Sequence, residues 1–499
     1  VKLPKRNCHD RRPDASGSQA RPLVTENVTR DGDFVETKAC ITRRLLLGLV
    51  TGIALNLGHG AETTLTIEAA LEQLPASNPA VGASRLEVER RVAERSAAKS
   101  LFGPQIEVSG RYTFIDQPIV IDLDPIRQVV LALHPTVPSA MIPAFVETVQ
   151  EDRFLRAQLT ATWPVYAGGR IQAAQQAAGA AVDEATATAR HTANSLFSEL
   201  VQRYYGAQLA RVIRTMRAET LAGLEEHLRQ ANRLEQEGQI ARAERLHAQV
   251  ARDEAWRELR RTEAAVAIAE AALAGLFGRN DSIAPASPLF LADQPLEPMS
   301  AFIAASTARH PALEIMAARR TQAAAGVAAE KGRLRPEVYL FGAKELNRGD
   351  TTLLDPDWAA GVGVRLVLFE RSDRTHRLTA ARLLERRVDR LTEDLQNNLR
   401  TLVEKSYREA ALAQEQYTSL NSTLELAREN LRVREASFRE GFGTSLEVVD
   451  ARLTLLRAES ARAVAARDFT VALASLLETS GQPERFLAYA EAATEKISP

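Results

Sequence analysis

The chain carries the same message twice. Asn78-Pro79 is answered by His310-Pro311, 232 positions later, and at that spacing Pro104 is matched by Pro336 and Gly110 by Gly342. The spacing then shortens to 203. "WPVYAGGRI" from Trp163 is matched by "LVLFERSDR" from Leu366, Gly238 by Gly441, Glu244 by Glu447, Ala248 by Ala451 and Gly278 by Gly481. A tandem duplication constrains the fold more than any local pattern, because both copies must form the same unit and pack together. The change of spacing leaves the first copy 29 residues longer, between positions 113 and 158.

Each copy has the same order of elements. A helical region (66–102, 299–334) leads into a strand. In "QIEVSGRYTF", Ile106, Val108, Gly110, Tyr112 and Phe114 alternate with polar residues, the period of two that gives a strand one apolar face. Leu155, Ala157, Leu159, Ala161 and Trp163 alternate likewise in the return strand, and Trp358, Ala360, Val362 and Val364 do so in the second copy. "PEVYLFGAKEL" alternates least cleanly. Hairpins over 104–166 and 336–369 are expected, then helical hairpins over 170–277 and 373–479. No proline, which would break a helix, occurs between Pro164 and Pro285 or between Pro356 and Pro483. The breaks fall at "QEGQIA" and "REGFGTS", where glycine supplies the turn between antiparallel helices.

The remaining segments are an N-terminal extension with a secretory signal (1–61), a first repeat (62–278), a linker (279–298), a second repeat (299–481) and a tail (482–499). Arg43 and Arg44 precede an apolar run from Leu45 to Leu57, and small residues follow at Gly60 and Ala61. That is the layout of an export signal, too short to span a membrane. The adjacent arginines leave the general and the twin-arginine routes open. Cleavage there would remove both cysteines, Cys8 and Cys40, so neither a disulfide framework nor a zinc site is expected. A formal net charge of −1 gives no basic footprint for nucleic acid. Phosphate loops, nucleophile elbows and paired-histidine metal motifs are missing from the sequence, so neither an enzyme nor a cofactor is expected.

Four strands per chain, of membrane-crossing length, cannot satisfy their own edges in lipid; only a closed barrel can, and closure takes about eight strands or more. Several chains must therefore share one barrel. At this point the residues resemble the TolC family of outer-membrane efflux proteins, through "NPAV…GPQIEVSGRY", "WPVYAGGRI" and "FREGFGTSLEVVDARLTLLRAESARAVAARDF" in their duplicated order. The resemblance implies a mainly helical tandem-repeat protomer of a homotrimer. Its twelve-stranded barrel would sit in outer-membrane lipid and continue as a long helical barrel through the periplasm. It implies an exit duct for efflux or type I secretion, served by a periplasmic adaptor and an inner-membrane transporter. Gly168 and Gly169 would form the strand-to-helix turn. Gly238, Gln239 and Ile240, with Gly441, Phe442, Gly443 and Thr444, would form the adaptor-docking tips.

Glu447 and Asp450 share a helix face near the second tip. The resemblance makes them the lining of the periplasmic aperture; the residues alone equally describe a solvated acidic helix start. A basic residue often precedes these acids in the family, but position 443 is glycine, so an aperture held by helix packing instead of a local ion pair is expected. The long insert is either a lid on the outer mouth or an extended loop. A periplasmic coiled-coil scaffold without a pore is the rival reading, opposed by the four alternating strands. The exported substrate is not written in the sequence.

Overall fold

A computed structural model describes residues 63–292, 295–347, 356–369 and 373–499. The expected extension and signal, with both cysteines, lie outside the described residues. Residues 1–59 and 60–499 are separate units, and the description concerns the second.

The first copy runs β1 (Thr63–Leu65), α1 (Ile67–Ser77), α2 (Pro79–Lys99), β2 (Gln105–Phe114), β3 (Ile119–Asp122), α3 (Asp124–Leu133), β4 (Val146–Gln150), β5 (Arg153–Tyr166), α4 (Arg170–Gln236) and α5 (Arg242–Leu276). Two short strands follow, β6 (Ile283–Pro285) and β7 (Leu289–Leu291). The second copy runs α6 (Met299–Arg309), α7 (Pro311–Gly332), β8 (Glu337–Glu345), β9 (Trp358–Arg365), α8 (Arg374–Arg439) and α9 (Ser445–Thr479). α10 (Phe486–Ala492) and β10 (Glu495–Ile497) close the chain.

The copies agree in how α2 and α7 start and in how α4 and α8 stop. Asn78 Oδ1 accepts from the Ala80 N–H at 2.9 Å, and His310 Nδ1 accepts from the Ala312 N–H at 3.2 Å, each before a proline at the first helical position. His310 can accept because its pKa is pushed down to about 4, by burial and then by the neighbouring His191, which keeps it neutral. The long helices α4 and α8 have 67 and 66 residues, about 100 Å each at 1.5 Å per residue. Both end with a left-handed glycine, Gly238 (φ +73°) and Gly441 (φ +78°). There the Gln239 N–H reaches Leu234 O at 2.8 Å and the Gly238 N–H reaches Glu235 O at 3.0 Å, the paired bonds of a Schellman cap, and Phe442 and Gly441 repeat them on Ser437 O and Phe438 O at 2.9 and 3.1 Å.

One four-stranded antiparallel sheet has the order β2-β5-β8-β9, so β2 and β9 are its free edges. The register sets Val108 beside Leu159, Tyr112 beside Leu155, Trp163 beside Leu340 and Leu340 beside Val362, which gathers the apolar positions on one exposed face. A broad exposed apolar sheet face is what a lipid-facing barrel wall presents. The opposite face carries Gln105, Glu107, Ser109, Thr160 and Thr162. It also carries Tyr339 and Phe341, which lie against Gly363 and Gly361 of β9 and cover strand positions that lack a side chain. That placement explains why β8 alternates poorly in sequence. The first-copy insert folds around an antiparallel β3–β4 pair and α3.

Among the helices, α5 packs on α4, α4 on α9 and α9 on α8; α7 lies against both α4 and α8. The segment between the copies is a packed belt. β6 pairs with β1, and β7 pairs with β10 at the other end of the described chain. Behind them Phe290, Phe486, Tyr204, Tyr205 and Phe469 form the largest apolar cluster. The buried Tyr204 hydroxyl donates to Leu65 O at 2.7 Å and accepts from the Ala286 and Ser287 N–H groups at 3.0 and 2.8 Å. A buried hydroxyl so satisfied ties the linker to α4 without an orphaned polar atom.

Candidate functional site

The two ends of the long helices carry the polar chemistry. At the far end, Gly238, Gln239 and Ile240 join α4 to α5, and Gly441, Phe442, Gly443 and Thr444 join α8 to α9. Ile240 turns inward onto Ala231, Ala248, Phe438 and Val448, a small core shared by both hairpins. Phe442 turns outward and is 91% exposed.

Glu447 is the third residue of α9. Its carboxylate accepts from the Thr444 N–H at 3.1 Å while Thr444 Oγ1 accepts from the Glu447 N–H at 3.3 Å, a reciprocal cap. It also pairs with Arg434 at 3.0 Å. This corrects the expectation of an acid without a local ion pair: the cation comes from α8, one strand of helix away, and not from position 443. Asp450 is exposed and has no cationic partner among the described residues. It borders a groove between α5 and α9 that also holds Arg217, His247 and Glu254.

Beneath the tip lies a junction that the sequence did not single out. Ser445 is fully buried; its N–H donates to Glu244 of the first copy at 2.7 Å, and its hydroxyl shares a hydrogen bond with His227 Nε2 at 2.7 Å. The His227 ring packs on Phe438 with centroids 4.5 Å apart. Burial, and then the charges of Arg452 and His247, push its pKa down to about 4, so it is neutral near pH 7. Arg452 crosses over Gly223 of α4, where a Cβ would overlap its guanidinium, and pairs with Glu435.

At the near end, β5 passes into α4 through Gly168 (φ +66°) and Gly169 (φ +89°). A Cβ on Gly168 would overlap the carbonyl of Gly332 at the end of α7, so this turn needs both the left-handed backbone and the missing side chain. Arg170 pairs with Glu337 of β8 at 3.0 Å. The second copy enters its long helix differently, through Asp373, which accepts from the Thr375 N–H at 2.8 Å. Residues 370–372 lie outside the described residues. No group of residues able to hold a metal ion occurs among the described residues.

A duplicated strand-hairpin and helix-hairpin unit with an apolar sheet face and a periplasm-length helical layer defines a class: an outer-membrane exit channel that continues as a helical tube. The sequence profile of the outer membrane efflux protein family matches residues 70–279 and 303–482, one span in each copy, and the chain belongs to that family. It is similar to the protein CyaE of Bordetella pertussis, 24% identical over 335 residues that cover 65% of this chain and 70% of CyaE. Among solved structures it resembles CusC, with a TM-score of 0.68, 16% identity and coverage of 83% of this chain and 91% of that one. It also resembles the CmeC outer membrane channel of Campylobacter jejuni, with a TM-score of 0.67, 12% identity and coverage of 85% and 89%. The protein is an outer-membrane channel, the exit duct of a tripartite efflux or type I secretion system, and not an enzyme.

Proposed function

We propose that three copies close one conduit by repeating the contacts that already join the two halves of each chain. The observation that carries this is the unfinished symmetry of the protomer. Within the chain the second strand of hairpin one pairs with the first of hairpin two (β5–β8), and the long helix of copy one packs on the short helix of copy two (α4–α9). The equivalent next contacts are β9 with β2, and α8 with α5, of a neighbouring copy. The surfaces involved are open. α8 exposes Leu391, Leu402, Leu412, Leu426 and Val433, and α5 exposes Val250, Trp256 and Ile268. α7 fills the angle between α4 and α8, whereas its counterpart α2 packs on α4 and α1 and leaves Leu86 and Val92 exposed. Sedimentation of the detergent-solubilised mature chain should give a trimer; a monodisperse soluble monomer would overturn the reading and favour a scaffold.

In this assembly the tips meet a periplasmic adaptor and, through it, an inner-membrane transporter. Phe442, apolar and almost fully exposed at the tip, supports a docking role. Arginine at Gly238, Gly441 or Gly443 should abolish export while trimers still reach the outer membrane. Glu447 and Asp450 line the narrow periplasmic end. With Glu447 held by Arg434, Asp450 supplies most of the uncompensated charge, so Asp450→Ala should weaken cation preference in planar-bilayer conductance more than Glu447→Ala; equal or absent effects would count against the aperture assignment.

A further inference from the structure

The polar face of the sheet ends, beside the helices, in a concentration of arginines that nothing in the exit-duct function requires. A recess of about 100 Å³ there is lined by Arg170, Arg333, Arg335, Arg365 and Arg374, with Glu337 the single carboxylate in its walls among the described residues. The space is that of a few water molecules, the scale of one tetrahedral oxyanion. Three of the arginines are already engaged: Arg170 with Glu337 at 3.0 Å, Arg333 with Glu330 at 3.5 Å, an acid that Arg377 also takes at 3.2 Å, and Arg374 in a contact of its own. Arg335 and Arg365 are exposed and have no carboxylate partner among the described residues. Arg365 instead lies over the ring of Tyr339, 5.5 Å from its centroid, which holds the guanidinium in place without neutralising it.

Strand register settles which side of the wall this is. Glu337 faces Arg365, Tyr339 faces Gly363 and Phe341 faces Gly361, all on one face; Val338, Leu340, Val362 and Val364 occupy the other. The apolar face takes the lipid, so Arg365, and with it the recess it lines, faces the pore. We propose that this neck is an oxyanion-binding station inside the conduit, recognising phosphate-, sulfate- or carboxylate-type groups on solutes in transit. Guanidinium groups present paired N–H donors that match such groups. Three copies of the cluster around one narrow, low-dielectric ring would concentrate anions there. The inference rests on barrel closure with the polar face inward.

The test uses the full trimer in planar bilayers of zwitterionic lipid, with inorganic pyrophosphate added on the barrel side. Wild type should be blocked at a concentration at least tenfold below that needed for Arg335→Gln/Arg365→Gln. Arg335→Lys/Arg365→Lys, which keeps the charge and loses the fork, should fall between them. Equal half-blocking concentrations in all three would overturn the proposal. So would unchanged block accompanied by an anionic-lipid effect on trimer melting that the glutamine pair removes, since that places the recess on the lipid side. A trimer that passes no current in any form would count against the channel reading itself. Calorimetric titration of pyrophosphate into detergent-solubilised trimers would then decide the neck site, with binding lost in the glutamine pair expected and no binding to wild type overturning it. If the glutamine pair does not assemble, the same titration of wild type and the lysine pair decides.

Discussion

The first and second copies turn the same corner at the periplasmic tip and cap it differently. The first leaves α4 through Gly238 and enters α5 at Ala241, whose side chain cannot cap; the second leaves α8 through Gly441 and enters α9 at Thr444, which caps with Glu447 in return. The equivalent acid in the first copy, Glu244, does not serve its own Ncap; it reaches across to the Ser445 N–H. At the neck the contrast recurs, with Gly168 and Gly169 in one copy and the Asp373 cap in the other. Two halves that began alike have divided the work: one closes its own helix, and its twin spends the same carboxylate on holding the halves together.

The contrast can be broken hardest at the neck. Gly168→Ala combines a left-handed backbone with a clash on Gly332 and should cost about 3 kcal/mol or more, enough to lose trimers from the outer membrane. Asp373→Ala removes an exposed cap with its contacts to Thr375 and His376, a much smaller loss, and trimers should persist. Quantifying trimers in purified outer membranes separates the two.

Acid should loosen the junction between the copies. The unfolded chain takes a proton on His227 below pH 6.5, and the folded tip does so only near 4. Stability is therefore lost as pH falls through that window, by up to about 3 kcal/mol, and the loss levels off below it. Hydrogen exchange around 227 and 445, corrected for intrinsic rates, should quicken from pH 7 to pH 5, and His227→Gln should flatten the response.

Smaller effects sharpen the comparison at the caps. Glu244→Ala strands the buried Ser445 N–H and should cost about 1–2 kcal/mol in thermal unfolding. Glu447→Ala, whose cap and Arg434 pair are exposed, should cost under about 1 kcal/mol; the reverse order would mean that Glu244 has no linking role. Smallest, Gly443→Ala should be milder than Gly238→Ala, at about 1 kcal/mol, because only Gly238 has a left-handed backbone; at Gly443 a Cβ would instead press on the Phe438 N–H at 3.1 Å.

The duplication, the alternating strands and the glycine stops were legible because each is a pattern within one segment or a fixed shift between two. What escaped were contacts set by register between distant segments. Arg434 meets Glu447 across a helical hairpin, and His227 meets Ser445 from the other copy; no local spacing announces either. The belt was partly visible: the run from Ile283 to Ala292 is apolar, yet reading it as a linker hid the strands β6 and β7. The insert's own strand pair was missed because strands of four and five residues give too short an alternation to read.

The belt has a mechanical consequence. Tyr204 grips β1 and the segment after β6 near the middle of α4, and α4 continues 32 residues beyond it to Gln236 without a proline or a break. That arm is about 48 Å long at 1.5 Å per residue. The belt is a fulcrum and the helix a stiff lever, so each degree of tilt about Tyr204 sweeps the tip by about 0.8 Å, the arc of that arm. Adjustments too small to disturb side-chain packing at the aromatic cluster would still move the periplasmic end by several ångströms.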